Sequence, residues 1–289
     1  ANSCRFNDDS SDYLIRGLTA TGNQKKWTWS AWVKVSKTGS GDRFIWSTNN
    51  SDDGGGNYTS IQLEADAFRF YNYSGGAFEN QLTTTRKLRD VSAWYHLMVV
   101  YDSANSTADD RIKMYVNGVQ ETFFSTRSNP SLNQNSYVEN TYDMYIGSQT
   151  GTESYFDGYM TEVVFVNDAT LDPTSFGVFN TVSNVWEPRP YTGTYGSNGF
   201  KLNFSDASNL GDDTSGNGND FTVNNLTSID QSTDTPSNNF ATMNPLNLGA
   251  TTGGEFLNGN LDVHMGGTAQ GVYYSTIGVS TGKWYVEVN

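Results

Sequence analysis

The sequence predicts an all-β protein, and three features of its 289 residues carry the prediction. Asn, Ser, Thr, Gly and Tyr are abundant, which favours strands and turns over helices. Short runs with apolar residues at every second position recur along the first part of the chain, as in half-buried strands. No convincing amphipathic helix of three turns occurs. Many short strands separated by turn residues indicate a β-sandwich or a barrel.

The predicted strands follow one another closely in the first part of the chain. In the first of them, Trp27, Trp29 and Val33 alternate onto one face. We place strands at 27–34, 44–47, 59–64, 67–73, 81–84, 94–101, 111–116, 119–124, 142–147 and 156–166. Asn117-Gly118 predicts a type I′ hairpin turn between two of them, because both positions of that turn need positive φ.

The order of the strands also predicts where the longest loops meet. In an antiparallel sandwich successive connections lie at alternate ends, so the turns at 65–66 and 117–118 share one end. The other end takes the long loops, at 48–58, 74–80, 102–110 and 125–141. Loops gathered on a rigid scaffold are where binding sites tend to lie. This end, which we call the long-loop rim, is therefore the candidate site.

The character of the sequence changes after Asp168. Residues 171–177 are typical of a turn and a short helix, and the prolines within 186–191 predict a stiff connector. The remaining segments read as short strands at 200–204 and 282–288, and as polar loops at 212–220 and 227–239. We therefore expect three parts, namely a sandwich over 1–180, a linker and extended segment over 181–230, and the start of a second, smaller or incomplete β-sandwich over 231–289, which is cut short.

Composition excludes several classes of partner. The chain has 17 Lys+Arg against 31 Asp+Glu, a formal net charge of −14. We expect no nucleic-acid partner, since nucleic acid and anionic lipid both attract cationic surfaces. No apolar run approaches the roughly 20 residues of a membrane-spanning helix, so no membrane insertion is expected. Cys4 is the only cysteine, which excludes a disulfide within the chain and a thiolate metal cluster.

Several motifs occur in a characteristic order along the first part of the chain. They are an opening at 6–14 that leads to 29–34, Trp94–Leu97 followed by 112–118, and Tyr145–Gly147 followed by 156–163. Together they resemble the laminin-G-like, concanavalin-A-like jelly-roll family over about residues 4–180. The resemblance implies an antiparallel jelly-roll β-sandwich, and a structural role for His96 at the family's W-x-H position.

The later segments resemble a narrower group. Residues 190–200 and 213–219 are similar to virion-associated proteins of marine tailed phages, in which a SPRY-like sandwich follows the jelly roll and opens on a strand like 282–288. The resemblance implies a tail-fibre, head-fibre or decoration protein on the virion surface. Its implied partners are other virion proteins, host-surface glycans and further copies of itself, as in a trimer.

Enzymatic motifs are absent from the sequence. Glycan hydrolases of the laminarinase type in this superfamily place two carboxylates on alternate positions of one strand, about 5–5.5 Å apart in a retaining enzyme. No E-x-D-x-x-E pattern occurs, and Glu162 and Glu287 have no acidic neighbour two residues away. His264 has no pattern around it, and the nucleophile, zinc and P-loop motifs are missing. We expect no catalysis, although carboxylates from different strands could still meet.

Calcium is the one metal that the sequence supports. Hard cations bind several oxygens from carboxylates, amides and backbone carbonyls. The alternation of strands places five acidic residues at the long-loop rim, namely Asp52, Asp53, Asp102, Asp109 and Asp110, with Asn57 and Asn105 beside them. The alternative is that these are ordinary solvated loop acids in an acidic protein.

A sugar site is predicted at the same rim. Binding a pyranose takes an aromatic face for its apolar side and amides or carboxylates for its hydroxyls. The candidate residues are Tyr58, Tyr73 and Tyr137 with Asn57, Asn133 and Asn135. Loop tyrosines also serve as packing anchors, which is the alternative for each. Trp27, Trp29 and Trp94 are expected in the core.

The leading functional hypothesis is a non-enzymatic virion surface protein that contacts host glycans through the long-loop rim. Affinity would then come from many copies on one particle. Two alternatives remain open at this point. One is a purely structural capsid or tail decoration protein without a ligand, and the other is a polysaccharide depolymerase, which needs two carboxylates in a groove.

Overall fold

The computed structural model describes residues 1–50, 56–248, 254–265 and 271–285, and nearly all of its regular structure is β-strand. The first thirteen strands are β1 (Ser3–Phe6), β2 (Tyr13–Gly17), β3 (Lys26–Val35), β4 (Asp42–Asn49), β5 (Tyr58–Glu64), β6 (Ala67–Ser74), β7 (Ala77–Lys87), β8 (Trp94–Asp102), β9 (Ile112–Val116), β10 (Val119–Gln120), β11 (Phe124–Ser128), β12 (Asp143–Ile146) and β13 (Gly158–Asn167). Three short 3₁₀-helices accompany the strands, at Ala108–Asp110, Pro173–Ser175 and Ser228–Asp230. Among the described residues, no helix is long and apolar enough to cross a membrane.

The later strands are shorter. They are β14 (Gly177–Phe179), β15 (Trp186–Pro188), β16 (Phe200–Leu202), β17 (Thr222–Asn224), β18 (Gln231–Ser232), β19 (Met243–Leu248), β20 (Gly254–Leu257), β21 (Asp262–Met265) and β22 (Tyr273–Ser275). β14 pairs with β15, β19 with β22 and β20 with β21, each as a separate two-stranded sheet.

Two large antiparallel sheets form the sandwich. Sheet I has the order β10-β9-β8-β3-β13-β1-β18, with β16 also paired to β13, and sheet II has the order β11-β7-β6-β5-β4-β12-β2-β17. This architecture confirms the predicted all-β sandwich. The hairpin turn predicted at Asn117-Gly118 is also present, with positive φ at both residues.

Aromatic side chains fill the space between the two sheets. Trp27 and Trp29 of β3 are fully buried there, as their alternation predicts. Trp27 lies parallel to Tyr101 of β8, with 5.4 Å between ring centroids. Trp46 of β4 stacks on Phe165 of β13 at 5.8 Å, which joins the two sheets at the centre of the core.

Trp94 is buried as well, as expected of a core residue, but it does not lie between the two sheets. The register of β3 and β8 sets Trp94 opposite Lys34, and this places it on the outer face of sheet I. There it packs in a second cluster with Trp32, Tyr159 and Trp186. The alternation of side chains along β8 was predicted correctly. The sequence does not indicate, however, that both faces of sheet I are buried.

Three local predictions differ from the structure. β1 and β2 were not predicted, since they are only four and five residues long. The strand predicted at 119–124 is divided into β10, which extends sheet I, and β11, which extends sheet II. The long loop predicted at 74–80 is a two-residue turn, Gly75-Gly76, because both glycines adopt positive φ and β7 starts at Ala77.

The segment 181–230, expected as a linker, adds strands to both sheets. β16 pairs with β13 and β17 pairs with β2, and β18 pairs with β1 just beyond the segment. β15, expected as a connector, is half of the β14–β15 hairpin. Each of these strands has only two or three residues, too few to show an alternating pattern. The strand predicted at 282–288 is not formed at 283–285, and residues 286–289 lie outside the described residues.

Gly158, at the start of β13, offers a test of this packing. Its φ is +150°, and a Cβ there would lie 2.2 Å from the carbonyl oxygen of Lys34. We expect Gly158→Ala to lower the free energy of unfolding by more than roughly 2 kcal/mol, because the backbone of the central strand must move. Chemical denaturation measures the change. Gly278→Ala, with no atom within 4 Å of its Cβ, is the matched control, and equal stability of the two variants would contradict the packing described.

Candidate functional site

The long-loop rim is held together by backbone hydrogen bonds between its loops and the strand ends. Asn133 N–H donates to the carbonyl of Ser103 at 2.8 Å, and Ser136 N–H donates to the carbonyl of Gln24 at 2.9 Å. Tyr137 N–H donates to Thr59 Oγ1 at 2.9 Å. The loop 129–142 is therefore fastened across the ends of both sheets, beside the start of β5.

Four aromatic rings, Tyr58, Tyr71, Tyr73 and Phe78, form one group that we call the aromatic cluster. Tyr58 and Tyr73 are stacked with 4.9 Å between centroids. Phe78 meets Tyr71 at 5.1 Å and Tyr73 at 5.2 Å, edge to face in both cases. Tyr71 is buried, whereas Phe78 is 46% exposed and Tyr58 and Tyr73 are partly exposed. The cluster thus offers accessible ring surface over a fixed base.

Strand register assembles this cluster. Tyr58 of β5 faces Tyr73 of β6, and Tyr73 faces Phe78 of β7 across the Gly75-Gly76 turn. A register shift between Asn72 and Tyr73 allows Phe78 to stand beside the two tyrosines. Directly opposed residues on one face of a sheet contact each other. The three strands therefore fix the rings without help from a loop.

A single guanidinium lies against the cluster. Arg69 stands over the rings of Tyr71 and Phe78, with its Cζ 4.6 Å and 4.5 Å from their centroids. It is held there by Glu64 and by the side-chain oxygen of Gln81, each at 2.6 Å. At the other side of the cluster, Ser74 Oγ donates to Asn57 Oδ1 at 2.5 Å. The rings are therefore flanked by fixed hydrogen-bonding groups at both sides.

The predicted sugar-binding residues fall into two groups. Asn57, Tyr58 and Tyr73 are brought together in and beside the aromatic cluster. Asn133 and Asn135 are exposed in the loop 129–142, where Tyr137 stacks on Tyr142 at 6.3 Å. Gln134 in the same loop donates to Glu79 of β7 at 3.2 Å, so this loop borders the cluster.

Sequence reasoning missed Arg69, Tyr71 and Phe78. Phe78 was assigned to a loop, although the Gly75-Gly76 pair after an alternating strand is a recognised hairpin signal that could have placed it. Arg69 and Tyr71 lie on the outward face of a strand. A single sequence does not show whether an outward-facing side chain contacts another side chain.

Two of the predicted calcium ligands are paired with neighbouring side chains. Asp109 accepts from Asn129 Nδ2 at 2.6 Å and pairs with Arg127 at 3.3 Å, and Asp110 pairs with Lys113 at 3.1 Å. Asp102 is partly buried at the end of β8, and Asp52 and Asp53 lie outside the described residues. Within the ranges that the structure describes, no three His, Cys, Asp or Glu side chains gather. The calcium site stays a prediction.

His96 is an internal packing residue. It is fully buried, its Nε2 is 2.8 Å from Ser30 Oγ, and its ring lies 5.2 Å from Trp32 and 5.9 Å from Trp186. Burial lowers the pKa of His96 to about 3, so its ring is neutral at physiological pH. No acidic group is hydrogen-bonded to its Nδ1 among the described residues. This arrangement agrees with the structural role that the sequence predicts for it.

One groove is lined by four acidic residues, Asp8, Asp9, Asp157 and Glu255. It has a volume of about 330 Å³, and Asp8, Asp157 and Lys37 lie on its wall. Burial and the adjacent charge of Asp8 raise the pKa of Asp157 well above its ordinary value. Asp8 forms an ion pair with Lys37. Asp157 is thus buried beside the charges of Asp8 and Lys37.

Glu139, in the loop 129–142, makes the stability of the rim depend on pH. Its side chain is fully buried and accepts from Asn198 Nδ2 at 2.8 Å. Burial raises its pKa from the ordinary 4.5 to about 7. A carboxyl group whose pKa is raised on folding stabilises the native state below its unfolded pKa. That contribution is lost as pH rises through about 7.

We therefore expect Glu139→Gln to flatten the pH dependence of unfolding between about pH 5 and 8 by up to roughly 3 kcal/mol. Denaturation of both proteins at the two pH values measures it. The exposed Glu153→Gln is the matched control. An unchanged pH dependence in Glu139→Gln would contradict a buried, protonated Glu139.

Comparisons with known proteins agree with this fold. A family model described as the concanavalin A-like lectin/glucanases superfamily matches residues 8–173. A structure from Bacteroides ovatus, described as a candidate carbohydrate-binding protein, is 19% identical with a TM-score of 0.51, covering 77% of this chain and 58% of that one. The chain thus spans somewhat more than half the length of that protein.

Two other solved structures are similar to this chain at lower TM-scores. A heptameric SAP-like pentraxin of Limulus polyphemus is 15% identical with a TM-score of 0.43, covering 59% of this chain and 77% of that one. The CBM40 module of a Ruminococcus gnavus IT-sialidase, bound to α2,3-sialyllactose, is 14% identical with a TM-score of 0.40, covering 56% of this chain and 90% of that one. No curated protein matches the sequence.

Proposed function

Because this chain belongs to the concanavalin A-like lectin/glucanases superfamily, we propose that it binds carbohydrate through the aromatic cluster at the long-loop rim. The observation that carries the proposal is the set of partly exposed rings, Tyr58, Tyr73 and Phe78, fixed by three paired strands. The candidate carbohydrate-binding protein of Bacteroides ovatus, which has the same fold, supports it.

The chemistry of the cluster suits a pyranose. The apolar face of a sugar ring stacks on an aromatic face, and its hydroxyls need donors and acceptors at the edge of that face. Asn57 and Ser74 flank Tyr73, and the Arg69 guanidinium lies beside Phe78. These groups are already held by neighbours, so little conformational entropy is lost when a sugar binds.

The proposed activity is binding without catalysis. His96 is buried and neutral, which counts against a depolymerase that uses a histidine. Burial and the charge of Asp8 raise the pKa of Asp157, and Lys37 is a charge partner of Asp8. The groove with these two carboxyl groups is also lined by different residues from the aromatic cluster.

The setting that we propose is a virion surface, where many copies would act together. This part rests on the resemblance of 190–200 and 213–219 to virion-associated proteins of tailed phages. A single weak sugar site gains affinity when linked copies engage one surface at the same time. Homo-oligomers and other virion proteins are the partners that this setting implies.

The structural-decoration alternative has one observation in its favour. The β14–β15 hairpin exposes Val178, Phe179, Val182 and Val185, and Val182 is 95% exposed. Apolar groups clustered on a surface favour contact with another protein. A decoration protein would use such a contact and would not need a sugar.

The sugar site is tested by removing one exposed ring at a time. We expect Tyr73→Ala and Phe78→Ala each to weaken binding about tenfold, because one stacked ring contributes about 1.4 kcal/mol. A glycan array identifies the bound polysaccharide, and titration calorimetry then measures the affinity of the full chain and its variants. Phe123→Ala, which removes another exposed ring near the far end of β7, is the matched control. Absence of binding to every glycan by the folded protein would favour the decoration alternative.

The calcium proposal needs its own measurement. If calcium is held at the rim, binding of the glycan should fall in a chelator and return when calcium is added. Asp109→Ala and Asp110→Ala should then weaken calcium binding measured by calorimetry, whereas Asp42→Ala, an exposed acid at the other end of β4, should leave it unchanged. Glycan binding that is equal with calcium and with chelator would remove calcium from the mechanism.

A further inference from the structure

The side chain of Lys34 is buried, although it ends in an amine. It projects from the outer face of β3, and its side chain is 1% exposed. Its Nζ donates to three oxygens, Asp234 Oδ2, Asn239 Oδ1 and the carbonyl of Phe240, each at 2.8 Å. An amine, a carboxyl group and a carboxamide therefore meet at one point.

The other carboxylate oxygen of Asp234 is also hydrogen-bonded. Its Oδ1 accepts from Trp94 Nε1 at 2.9 Å and from the N–H of Phe240 at 3.2 Å, and its side chain is 3% exposed. Trp94 and Tyr159 belong to the second cluster, which lies with Trp32 and Trp186 on the outer face of sheet I. The Lys34 amine lies 5.9 Å from the centre of the Tyr159 ring. The amine and the carboxyl group are thus held in a site from which water is largely excluded.

From this geometry we propose that Lys34 and Asn239 form an intramolecular amide, an isopeptide cross-link, with Asp234 as the group that moves the proton. Asn239 Oδ1 is bonded to Cγ, the carbon that Nζ attacks. Groups held in contact in a fixed orientation react far faster than the same groups free in water. The three side chains meet this condition before any reaction.

The reaction balances without an outside reagent. The Lys34 ammonium passes a proton to Asp234 Oδ2, which replaces two buried charges by two neutral groups. Nζ then attacks Cγ of Asn239, and the N–Cγ bond forms as the bond from Cγ to Nδ2 breaks. Asp234 gives this proton to the departing nitrogen, which leaves as ammonia, and takes up the second proton that Nζ loses as it becomes an amide nitrogen, so that the carboxyl group ends protonated. One amide is consumed and one is made, and no group is oxidised or reduced.

The surroundings favour Asn239 over Asp234 as the acceptor. Asn239 lies at the surface, and its Nδ2 donates to the carbonyl of Ser92 at 2.7 Å. That hydrogen bond directs the leaving nitrogen away from Lys34 and gives ammonia an exit to solvent. If Asp234 were itself the acceptor, the site would lack the acid that moves the proton.

The test is the intact mass of the purified full chain. We expect it to be lighter than the sequence mass by one ammonia, and peptide mapping should show the Lys34 and Asn239 peptides joined. Lys34→Arg removes the nucleophile and keeps the charge, Asp234→Asn removes the proton carrier, and both should restore the full sequence mass. Asn238→Ala, a change in the adjacent asparagine, which is also exposed, should keep the cross-link.

Each other outcome overturns the proposal. A folded wild-type chain of full sequence mass would show that the three groups form only a charged hydrogen-bond network. A loss of one water that maps to Lys34 and Asp234 would make Asp234 the acceptor. An ammonia loss that persists in Lys34→Arg would come from ring closure at a site such as Asn117-Gly118. The wild-type mass decides the matter even if a variant does not fold.

Discussion

Strand β3 is buried on both of its faces, and much of the molecule is arranged around that constraint. Its inner face carries Trp27 and Trp29 into the core, while its outer face carries Ser30, Trp32 and Lys34. Buried polar groups must find partners, since an unpaired one costs several kcal/mol at worst. Ser30 finds His96, and Lys34 finds Asp234. The chain after β13 therefore supplies part of the cover of the outer face of sheet I, including Trp186 and Asp234.

Sequence reasoning predicted the sandwich and most of its central strands, because alternation is strong where one face of a strand is buried and the other is less so. It did not predict that later segments of the chain cover the outer face of sheet I. A strand of two residues, such as β18, has no period, and the partner of Lys34 is found 200 residues later in the chain. The register of a strand also decides on which face of the sheet a residue lies. Trp94 is an example, because the alternation of its strand was predicted correctly but the face on which Trp94 lies was not.

The candidate site was predicted in part for the same reason. Tyr58 and Tyr73 stand at the ends of well-marked strands, so their neighbourhood followed from the order of the strands. The positions of Phe78 and Arg69 depend on the Gly75-Gly76 turn and on a register shift in the pairing of β6. A pattern of apolar residues does not predict such local features of the backbone. The site therefore depends more on sheet pairing than on the long loops from which it was first inferred.

β1 and β2 each pair on one edge with a strand from a late part of the sequence. β1 is completed by β18 and β2 by β17, and Ser3 Oγ reaches the carbonyl of Asp234 across 231 positions of sequence. During synthesis these first strands must wait, with open edges, until the ribosome has made almost the whole sandwich. Contacts between such distant residues slow folding, and open edges invite pairing with other chains. A nascent chain that stops near residue 180 would accordingly depend on chaperones to remain monomeric.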